Sequence, residues 1–441
     1  MRLAASFALL FVGLLIPQSH SAEPTFPLKD GDIWVMAGDS ITAQHLHSNY
    51  FEAFCYARYP KLKFAFRNSG VGGHTIPTTL ARFDYDIAAW KPTVVSVELG
   101  MNDSGGTKTD DFVKNMDKMV ARIKSSGARP VILTASPVND GTLSTKLAGR
   151  NQRLDEYATS LKAFCQQEKI PFADQFHACL DPWGKNKPRE KLLSALNDLK
   201  MASTDESLAG VEHLRGFLAA QEKNPATGVN LQGDPVHPGA PGQLMMAAAL
   251  LKELGADGFV SSATVDVEAN KVTPKGCLVS DVKTAPTGVS FDRLDECLPF
   301  PIPDDARSVL PLAPDVLTLS QYSLAVKGLK EGDYLLKVGG ANCGRFSANQ
   351  LAAGINITSL APIGNPIVAQ MRSVLKAVSD KEAIVGTWRG LSQRAHAKGA
   401  DPKLKDELEA LTQKVEEADA KIRDAAKPQK LRFEIVLATT K

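Results

Sequence analysis

The chain has 441 residues, of which 44% are hydrophobic and 23% are charged. This composition is typical of a globular protein and excludes a disordered or fibrous chain, and the length suits two or three domains. The 51 Lys and Arg residues exceed the 49 Asp and Glu residues by only two, so the chain lacks the basic surplus of a nucleic-acid-binding protein, and we expect no nucleic acid partner.

Residues 1–22 have the layout of a secretory signal peptide. Arg2 is a minimal positive region, Leu3–Ile16 is an apolar run broken only by small residues, and Ser19–Ala22 offers small residues for cleavage. The apolar run is well short of the roughly 20 residues that span a bilayer. We therefore predict a secreted or periplasmic protein with no membrane span after cleavage. An uncleaved anchor is the alternative.

Residues 23–255 alternate short apolar segments with amphipathic ones. Helices are predicted over about 43–58, 76–89, 109–126 and 147–168, and a last one over Pro241–Leu254. Alternation of strands and helices predicts a parallel sheet covered by helices on both faces, which is a three-layer α/β/α domain. The predicted strands are rich in Val, Ile and Phe and end at Gly, Asn, Ser or Pro; they are Ile33–Ala37, Lys63–Arg67, Thr93–Leu99, Pro130–Ala135 and Ile170–Ala173.

The pattern changes after about residue 256. Residues 401–426 are charged, with apolar residues spaced by three and four, which predicts a long helix packed on its own domain in preference to a coiled-coil seam. We therefore predict a smaller β-rich accessory domain with one long helix over residues 256–441. Its predicted strands are separated by Pro- and Gly-rich turns and are Val265–Val272, Gly288–Phe291, Val316–Val326, Asp333–Val338 and Leu431–Ala438.

Six cysteines are compatible with three disulfide bonds in an exported protein. The first pairs to test are Cys165 with Cys179 and Cys277 with Cys297, and the alternative is that the cysteines are small buried hydrophobic residues. The cysteines show neither CxxC spacing nor clustering with histidine, so we expect no zinc site. We predict no metal and no cofactor. The six are Cys55, Cys165, Cys179, Cys277, Cys297 and Cys343.

Ser40 follows the first predicted strand directly, in Gly38-Asp39-Ser40-Ile41, and precedes a helical segment. Ligands of parallel sheets bind at this carboxyl edge, and the start of a helix adds free N–H groups and partial positive charge. The structural alternative is a helix N-cap, a position that Ser and Asp often fill. Thr42 stands where the nucleophile elbow Gly-x-Ser-x-Gly has its last glycine, so the α/β-hydrolase motif is absent here.

A serine hydroxyl needs a base to take its proton, and the base needs an orienting group. Of the eight histidines, His237 has the most informative setting, because Asp234 lies three residues before it. Pro235 and Pro238 keep this loop out of a helix, so both side chains can point to one place. A solvated surface loop is the alternative for an isolated Asp-x-x-His pair.

A tetrahedral intermediate also needs hydrogen-bond donors for its oxyanion. Asn102 follows the third predicted strand, in Gly100-Met101-Asn102-Asp103, and its amide is expected at the same sheet edge as Ser40. Gly70, Gly72 and Gly73 follow the second strand, where the absence of a Cβ lets a backbone N–H approach a ligand closely. Each of these residues also suits an ordinary turn.

Together the four blocks resemble the SGNH, or GDSL-type, serine hydrolase family over about residues 30–254. They follow strands one, two and three and precede the last helix, in the order of that family. The resemblance implies a flavodoxin-like α/β/α fold with a parallel sheet. It also implies Ser40 as the nucleophile, His237 as the base and Asp234 as the group that orients the base.

The resemblance further implies an oxyanion hole made by the N–H groups of Ser40 and Gly73 and by the side chain of Asn102. Gly70 and Gly72 remain alternatives to Gly73. The sequence therefore predicts an exported serine esterase that acts on a small-molecule or glycan ester.

The family includes carbohydrate deacetylases. Export together with an accessory domain suggests an O-acetylated polysaccharide as the substrate, and this is our hypothesis. The alternatives are a glycan-binding protein on an inactive esterase fold and a lipase or lysophospholipase type of enzyme. The sequence predicts neither the oligomeric state nor the role of residues 256–441.

Overall fold

The computed structural model describes residues 26–138, 146–183, 198–208, 210–223, 233–310, 313–360 and 364–438. The predicted signal peptide lies outside the described residues. Within the described ranges, none of the helices is both long and apolar enough to cross a membrane.

A five-stranded, all-parallel sheet forms the centre of the first half of the chain. Its strand order is β2-β1-β3-β4-β5, so the direction of winding changes at β1, and ligands bind at the carboxyl ends of strands around such a point. Most strand residues are buried, as expected for a parallel sheet covered on both faces. The predicted strands are confirmed as β1 Asp32–Gly38, β2 Phe64–Gly70, β3 Val94–Glu98, β4 Arg129–Leu133 and β5 Phe172–Ala173.

Helices flank this sheet, and the predicted three-layer α/β/α class is confirmed. The helix predicted over 43–58 begins only at His47, because His45, with the left-handed φ of 57°, separates it from a short helix over Ser40–Ala43. The helix predicted over 76–89 is divided, and it ends in a short 3-10 helix at Ala88–Trp90. The α-helices are α1 Ser40–Ala43, α2 His47–Arg58, α3 Ile76–Ala81, α4 Phe83–Asp86, α5 Thr109–Ser125, α6 Gly149–Glu168, α7 Gln175–Trp183, α8 Val211–Lys223 and α9 Ala240–Glu253.

Two further sheets enclose a second core in the C-terminal part of the chain. One has the order β13-β10-β6-β7, and the other is antiparallel with the order β12-β11-β14-β9-β8. The bounds are β6 Phe259–Asp266, β7 Lys271–Lys275, β8 Cys277–Ala285, β9 Gly288–Asp295, β10 Gln321–Lys327, β11 Asp333–Val338, β12 Ala341–Ser347, α10 Ala348–Ala353, β13 Ile355–Asn356 and β14 Leu431–Leu437.

Two strand predictions in this region were wrong in their bounds. The segment Val265–Val272 turns back on itself, because Asn270 has the left-handed φ of 46° and β6 and β7 pair as a hairpin around it. The start of Val316–Val326 lies in a 3-10 helix over Pro314–Leu319, and only its second half is β10. A run of β-branched and apolar residues does not by itself separate one strand from two short elements.

Two long helices precede the last strand: α11 over Pro366–Ala395 and α12 over Lys403–Ala425. Only α12 was predicted. The buried face of α11 includes Lys381 and Glu382, so its apolar stripe is interrupted by charge and its helical pattern is hard to see in the sequence.

Helix α11 packs against the parallel-sheet part of the molecule. The rings of Trp90 and Trp388 stack with their centroids 3.5 Å apart. Val374, Val378 and Val385 of α11 belong to the same hydrophobic core as the parallel sheet. The start of α11 packs into the second core through Ile367, Val368 and Met371, so this helix contributes to both cores.

Buried ion pairs fix the position of these helices. The Nζ atom of Lys381 lies 2.8 Å from Oε1 of Glu52 on α2, and it donates to the carbonyl of Phe66 at 2.9 Å. Arg67 on β2 makes two hydrogen bonds, of 3.0 and 2.7 Å, to the carboxylate of Asp419 on α12. Burying charges is costly unless each is paired, so these contacts favour a single docking register.

All six cysteines are free thiols and all are buried. Neither Cys165 with Cys179 nor Cys277 with Cys297 forms a disulfide bond. Burial raises the pKa of Cys165 and of Cys179 to about 12. The cysteines are therefore the small buried residues of the second interpretation.

The substitution Lys381→Met tests the buried ion pair. It leaves Glu52 and Glu382 buried without their cation, so we expect the free energy of unfolding to fall by about 3–5 kcal/mol. Lys376→Met on the same helix is the matched control, because Lys376 pairs with Asp380 at the surface and such pairs contribute less than about 1 kcal/mol. Urea unfolding measures both, and equal effects would contradict the account.

Candidate active site

Ser40 is the first residue of α1, directly after the carboxyl end of β1. The helix is capped by Asp39, whose Oδ1 accepts a hydrogen bond of 2.9 Å from the N–H of Ile41. This tight turn requires glycine at position 38, because a Cβ there would overlap the Thr42 side chain. Since Asp39 takes the capping position, the Ser40 hydroxyl is left for another partner.

That partner is His237. Its Nε2 lies 2.8 Å from the Ser40 Oγ, and its Nδ1 lies 2.8 Å from Oδ2 of Asp234. A carboxylate only accepts hydrogen bonds, so Nδ1 carries the proton and Nε2 of the neutral ring accepts from the serine hydroxyl. The structure thus links the predicted serine, histidine and aspartate in one chain of hydrogen bonds.

Backbone groups of its own loop hold Asp234. Its Oδ1 accepts the N–H groups of Val236 at 2.7 Å and His237 at 2.8 Å. The hydrogen bond from the His237 backbone, with those from its side chain and from Val236, lowers the pKa of Asp234 to about 2. Gly233 is required at φ 117°, because a Cβ there would overlap the His237 carbonyl. Asp234 is therefore a carboxylate, and the 58% exposure of its side chain also favours the charged form.

A second Asp-x-x-His pair, Asp174 and His177, has the same spacing but different surroundings. The Nδ1 of His177 lies 2.7 Å from Asp174, and its Nε2 lies 2.7 Å from Oδ1 of Asp155. Both ring nitrogens thus face carboxylates, and neither is hydrogen-bonded to a hydroxyl of the described residues. The spacing alone did not distinguish the two pairs; the group facing Nε2 does.

The glycine turn lies beside Ser40. A Cβ on Gly72 would lie 3.9 Å from the Cβ of Ser40, and Gly73 has the left-handed φ of 75°. Gly70 has another role: its N–H donates to Oδ1 of Asn68 at 2.8 Å, and a Cβ there would overlap the backbone of Ala43. Gly70 is thus a close-packing residue, and the donor to an oxyanion is left to Gly72 or Gly73, with Gly73 remaining our prediction.

Asn102 lies at the same edge of the sheet. Its Nδ2 donates to the carbonyl of His74 at 3.1 Å and, in a longer contact of 3.3 Å, to Oδ2 of Asp39. The amide therefore sits between the glycine turn and the residue that precedes Ser40. The four sequence blocks meet around one point.

Below this point lies a buried polar network that the sequence analysis missed. Gln243 donates from Nε2 to the carbonyl of Pro238 at 2.9 Å, so its Oε1 faces His47 and accepts from that backbone N–H at 3.0 Å. The same oxygen lies 3.1 Å from Nδ1 of His47, which must therefore carry a proton. The other nitrogen, Nε2, lies 3.3 Å from Oε2 of Glu98.

This network is uncharged. Burial lowers the pKa of His47 to about 4 and raises that of Glu98 to about 8, so a protonated Glu98 faces a neutral imidazole. Burial and the nearby Glu98 also raise the pKa of Asp39 to about 7. The sequence alone did not predict this network. Its only indication was an acidic residue, Glu98, at the end of a buried strand.

Comparisons with known proteins agree with this geometry. Residues 36–245 match the GDSL-like lipase/acylhydrolase family. The chain is 21% identical over 263 residues to an acetylxylan esterase of Geobacillus stearothermophilus, covering 58% of this chain and 97% of that protein. The solved structure of a gut microbial diltiazem-metabolizing enzyme is similar with a TM-score of 0.70 and 20% identity, covering 94% of this chain and 100% of that chain.

The parallel-sheet region, over residues 36–245, therefore matches the SGNH, or GDSL, hydrolase family. The chain is an enzyme that hydrolyses ester bonds. The solved structure also shows that the β-rich C-terminal part belongs to a fold that another protein shares.

The second Asp-x-x-His pair yields a test of the electrostatics. The hydrogen bond with Asp174 raises the pKa of His177 above its ordinary value of 6.5. A histidine whose pKa is raised by folding stabilises the folded state when it is protonated. This contribution to the free energy of unfolding is fully present below pH 6.5, and it is lost as the pH rises through the higher pKa of the folded state.

We therefore expect His177→Gln to lower the melting temperature most near about pH 5 and least near about pH 9. Thermal unfolding across that range measures the difference between variant and wild type. Asp155→Asn is the control and should weaken the same pH dependence. A melting-temperature difference that is constant with pH would contradict the assignment.

Proposed function

We propose that this chain is an exported serine esterase in which Ser40 is the nucleophile, His237 the general base and Asp234 the group that orients the base. The observation that carries the proposal is the pair of 2.8 Å contacts that joins Ser40 Oγ to His237 Nε2 and His237 Nδ1 to Asp234 Oδ2. A hydroxyl, an imidazole and a carboxylate in this order are the parts of a catalytic triad.

The reaction proceeds in two steps. Ser40 Oγ attacks the carbonyl carbon of the ester, and its proton passes to Nε2 of His237, which gives it to the leaving alcohol. Water then attacks the acyl-Ser40 ester. His237 takes a proton from that water and returns it to Ser40 as the carboxylic acid leaves. Asp234 stabilises the imidazolium that forms in each step.

The oxyanion of each tetrahedral intermediate is bound, in this proposal, by the N–H groups of Ser40 and Gly73 and by the Asn102 side chain. Ser40 begins α1, so its N–H points out of the helix start, where the backbone dipoles favour negative charge. The 3.3 Å contact of Asn102 with Asp39 is the weaker of its two hydrogen bonds. Asn102 can exchange that contact for the oxyanion.

We further propose that the substrate is an O-acetylated carbohydrate. The curated relative is an acetylxylan esterase. His237 is 29% and Asp234 58% exposed, so the base lies at an open surface, which suits a short acyl group on a bulky polar alcohol. A long acyl chain would need a buried apolar channel to be desolvated. Export rests on the signal-like residues 1–22.

The two alternatives are less well supported. A glycan-binding protein on an inactive esterase fold has no need of a serine, histidine and aspartate in hydrogen-bonded order, and these three are intact here. A lipase or lysophospholipase type needs an apolar binding surface beside Ser40, whereas the described surroundings of Ser40 are the polar groups of His237, Asn102 and a glycine turn.

Substitution of the nucleophile and of the base tests the mechanism. Ser40→Ala and His237→Ala should each lower kcat for p-nitrophenyl acetate by about 10⁴- to 10⁶-fold, because triad members act as a unit. His177→Ala is the matched control, since it also removes a histidine from an Asp-x-x-His pair but should leave kcat unchanged. Full activity of Ser40→Ala, or equal losses from both histidine variants, would contradict the mechanism.

The acyl preference tests the substrate class. For p-nitrophenyl esters we expect kcat/KM to be highest for acetate and to fall with chain length, and we expect acetate release from acetylated xylooligosaccharides. Steady-state rates with acetate, butyrate and octanoate esters measure the series. A preference for octanoate would overturn the deacetylase proposal in favour of the lipase type, and it would leave the role of Ser40 intact.

A further inference from the structure

We propose that Arg389, on the C-terminal helix α11, is a positioning residue of the active site that holds the glycine turn of the oxyanion hole in place. The inference rests on the proposed function of that turn, which we define as residues 70–75. It gives the C-terminal extension a part in catalysis beyond packing.

Arg389 contacts the first residue of the turn. Its NH1 donates to the carbonyl of Gly70 at 2.9 Å. Its Nε and NH2 donate to the two carboxylate oxygens of Asp86 at 2.6 and 2.8 Å. Such a two-pronged pair fixes the plane of the guanidinium, so NH1 is aimed at the carbonyl of Gly70.

The peptide between Gly70 and Val71 is held at both ends. Arg389 binds its carbonyl, and its N–H, from Val71, donates to the carbonyl of Gly38 at 3.1 Å. Gly38 lies two residues before Ser40. Gly72 and Gly73 follow this peptide directly, so the direction in which their N–H groups point depends on the orientation that Arg389 and Gly38 impose.

The far end of the turn is tied to the same cluster. Arg82 donates to Asp86, to the Ser69 hydroxyl at 2.6 Å and to Nδ1 of His74 at 3.2 Å. The His74 carbonyl in turn accepts from Asn102. Asp86 thus binds both Arg389, which contacts the start of the turn, and Arg82, which contacts His74 near its end.

Asp86 is held as a carboxylate at the centre of this cluster. Burial alone would raise its pKa, but hydrogen bonds and charge from Arg389, together with the charge of Arg82, outweigh burial and hold the pKa below its ordinary value. Oδ2 accepts from Arg82, Ser69 and Arg389, whereas Oδ1 accepts from Arg389 alone among the described residues. Without Arg389, Asp86 Oδ1 loses its described partner, and the Gly70 carbonyl loses its hydrogen bond from the Arg389 side chain.

Other contacts hold the helix itself. Lys381 is fully buried against Glu52, and Trp388 stacks on Trp90, so α11 stays docked when Arg389 is changed. The Arg389 side chain is 18% exposed, which lets water reach the vacated space. Arg389 is therefore separable from the docking of the extension and can be tested on its own.

The test compares Arg389→Ala with Arg394→Ala in the full chain. Arg394 lies on the same helix with an exposed side chain. Active sites are counted by titration with a fluorophosphonate, and kcat is expressed per titrated site. We expect Arg389→Ala to lower kcat by about 10- to 100-fold, less than the loss of an oxyanion donor itself, with KM unchanged. Arg394→Ala should match wild type.

Two further measurements separate positioning from folding. Arg389→Lys keeps the charge but cannot bind Asp86 with two prongs and Gly70 as well, so its kcat should fall between wild type and Arg389→Ala. Added guanidinium ion should raise the kcat of Arg389→Ala, with no effect on Arg394→Ala. A stability role would lower the melting temperature and the number of titrated sites without changing kcat per site.

Wild-type kcat per site in Arg389→Ala would overturn the inference, even with a lowered melting temperature. If Arg389→Ala does not fold, wild-type kcat per site in Arg389→Lys overturns it equally. Failure of the proposed function is a different result: it appears as activity retained in Ser40→Ala, whatever Arg389 does.

Discussion

The hydrogen bond between Ser40 and His237 connects residues that are 197 positions apart in the chain. A contact of this kind exists only if two separate loops are each held rigidly. Gly38 permits the tight turn before Ser40, and Gly233 permits the turn before Asp234 and His237. Gln243 then ties the second loop to the helix behind the first, through the carbonyl of Pro238 and the N–H of His47. Many of the polar contacts around the site therefore hold Ser40 and His237 at hydrogen-bonding distance.

The acidic residues of the site have different pKa values because their environments differ. Asp234 lies at the surface, and hydrogen bonds from its own loop lower its pKa to about 2, so it can stabilise an imidazolium. Glu98 lies beneath the same site, where burial raises its pKa to about 8. A protonated Glu98 does not compete with Asp234 for positive charge. Groups of one chemical type with opposite pKa shifts are a common arrangement in active sites.

Much of the parallel sheet could be predicted from the sequence, because each of its strands is a short apolar run between polar helices. The four sequence blocks could be predicted to meet, because they end strands or precede a helix at one edge of the sheet. The sequence did not decide whether Ser40 or Asp39 caps α1. It also did not separate the pair at His177 from the pair at His237, since the two have equal spacing and differ only in what faces Nε2.

The interior of the C-terminal region was harder to predict for a physical reason. Helix α11 buries Lys381 beside apolar residues, so the pattern that identifies an amphipathic helix is broken, and its hydrogen-bond partner Glu52 lies 329 residues away. The contact of Arg389 with Gly70 spans 319 residues. Such pairs leave no local signal, because each partner alone is an ordinary charged or small residue. The extension therefore shows its relation to the active site only in the folded structure.

The role of Ser40 can be measured most directly by the position of a covalent adduct. The wild-type protein is treated with a fluorophosphonate and digested, and the modified peptide is identified by mass spectrometry. The account predicts one adduct per chain, on Ser40, and a strongly reduced rate of modification in His237→Ala because the hydroxyl then lacks its base. Modification of a different serine, or a Ser40 that remains unmodified in the active protein, would contradict it.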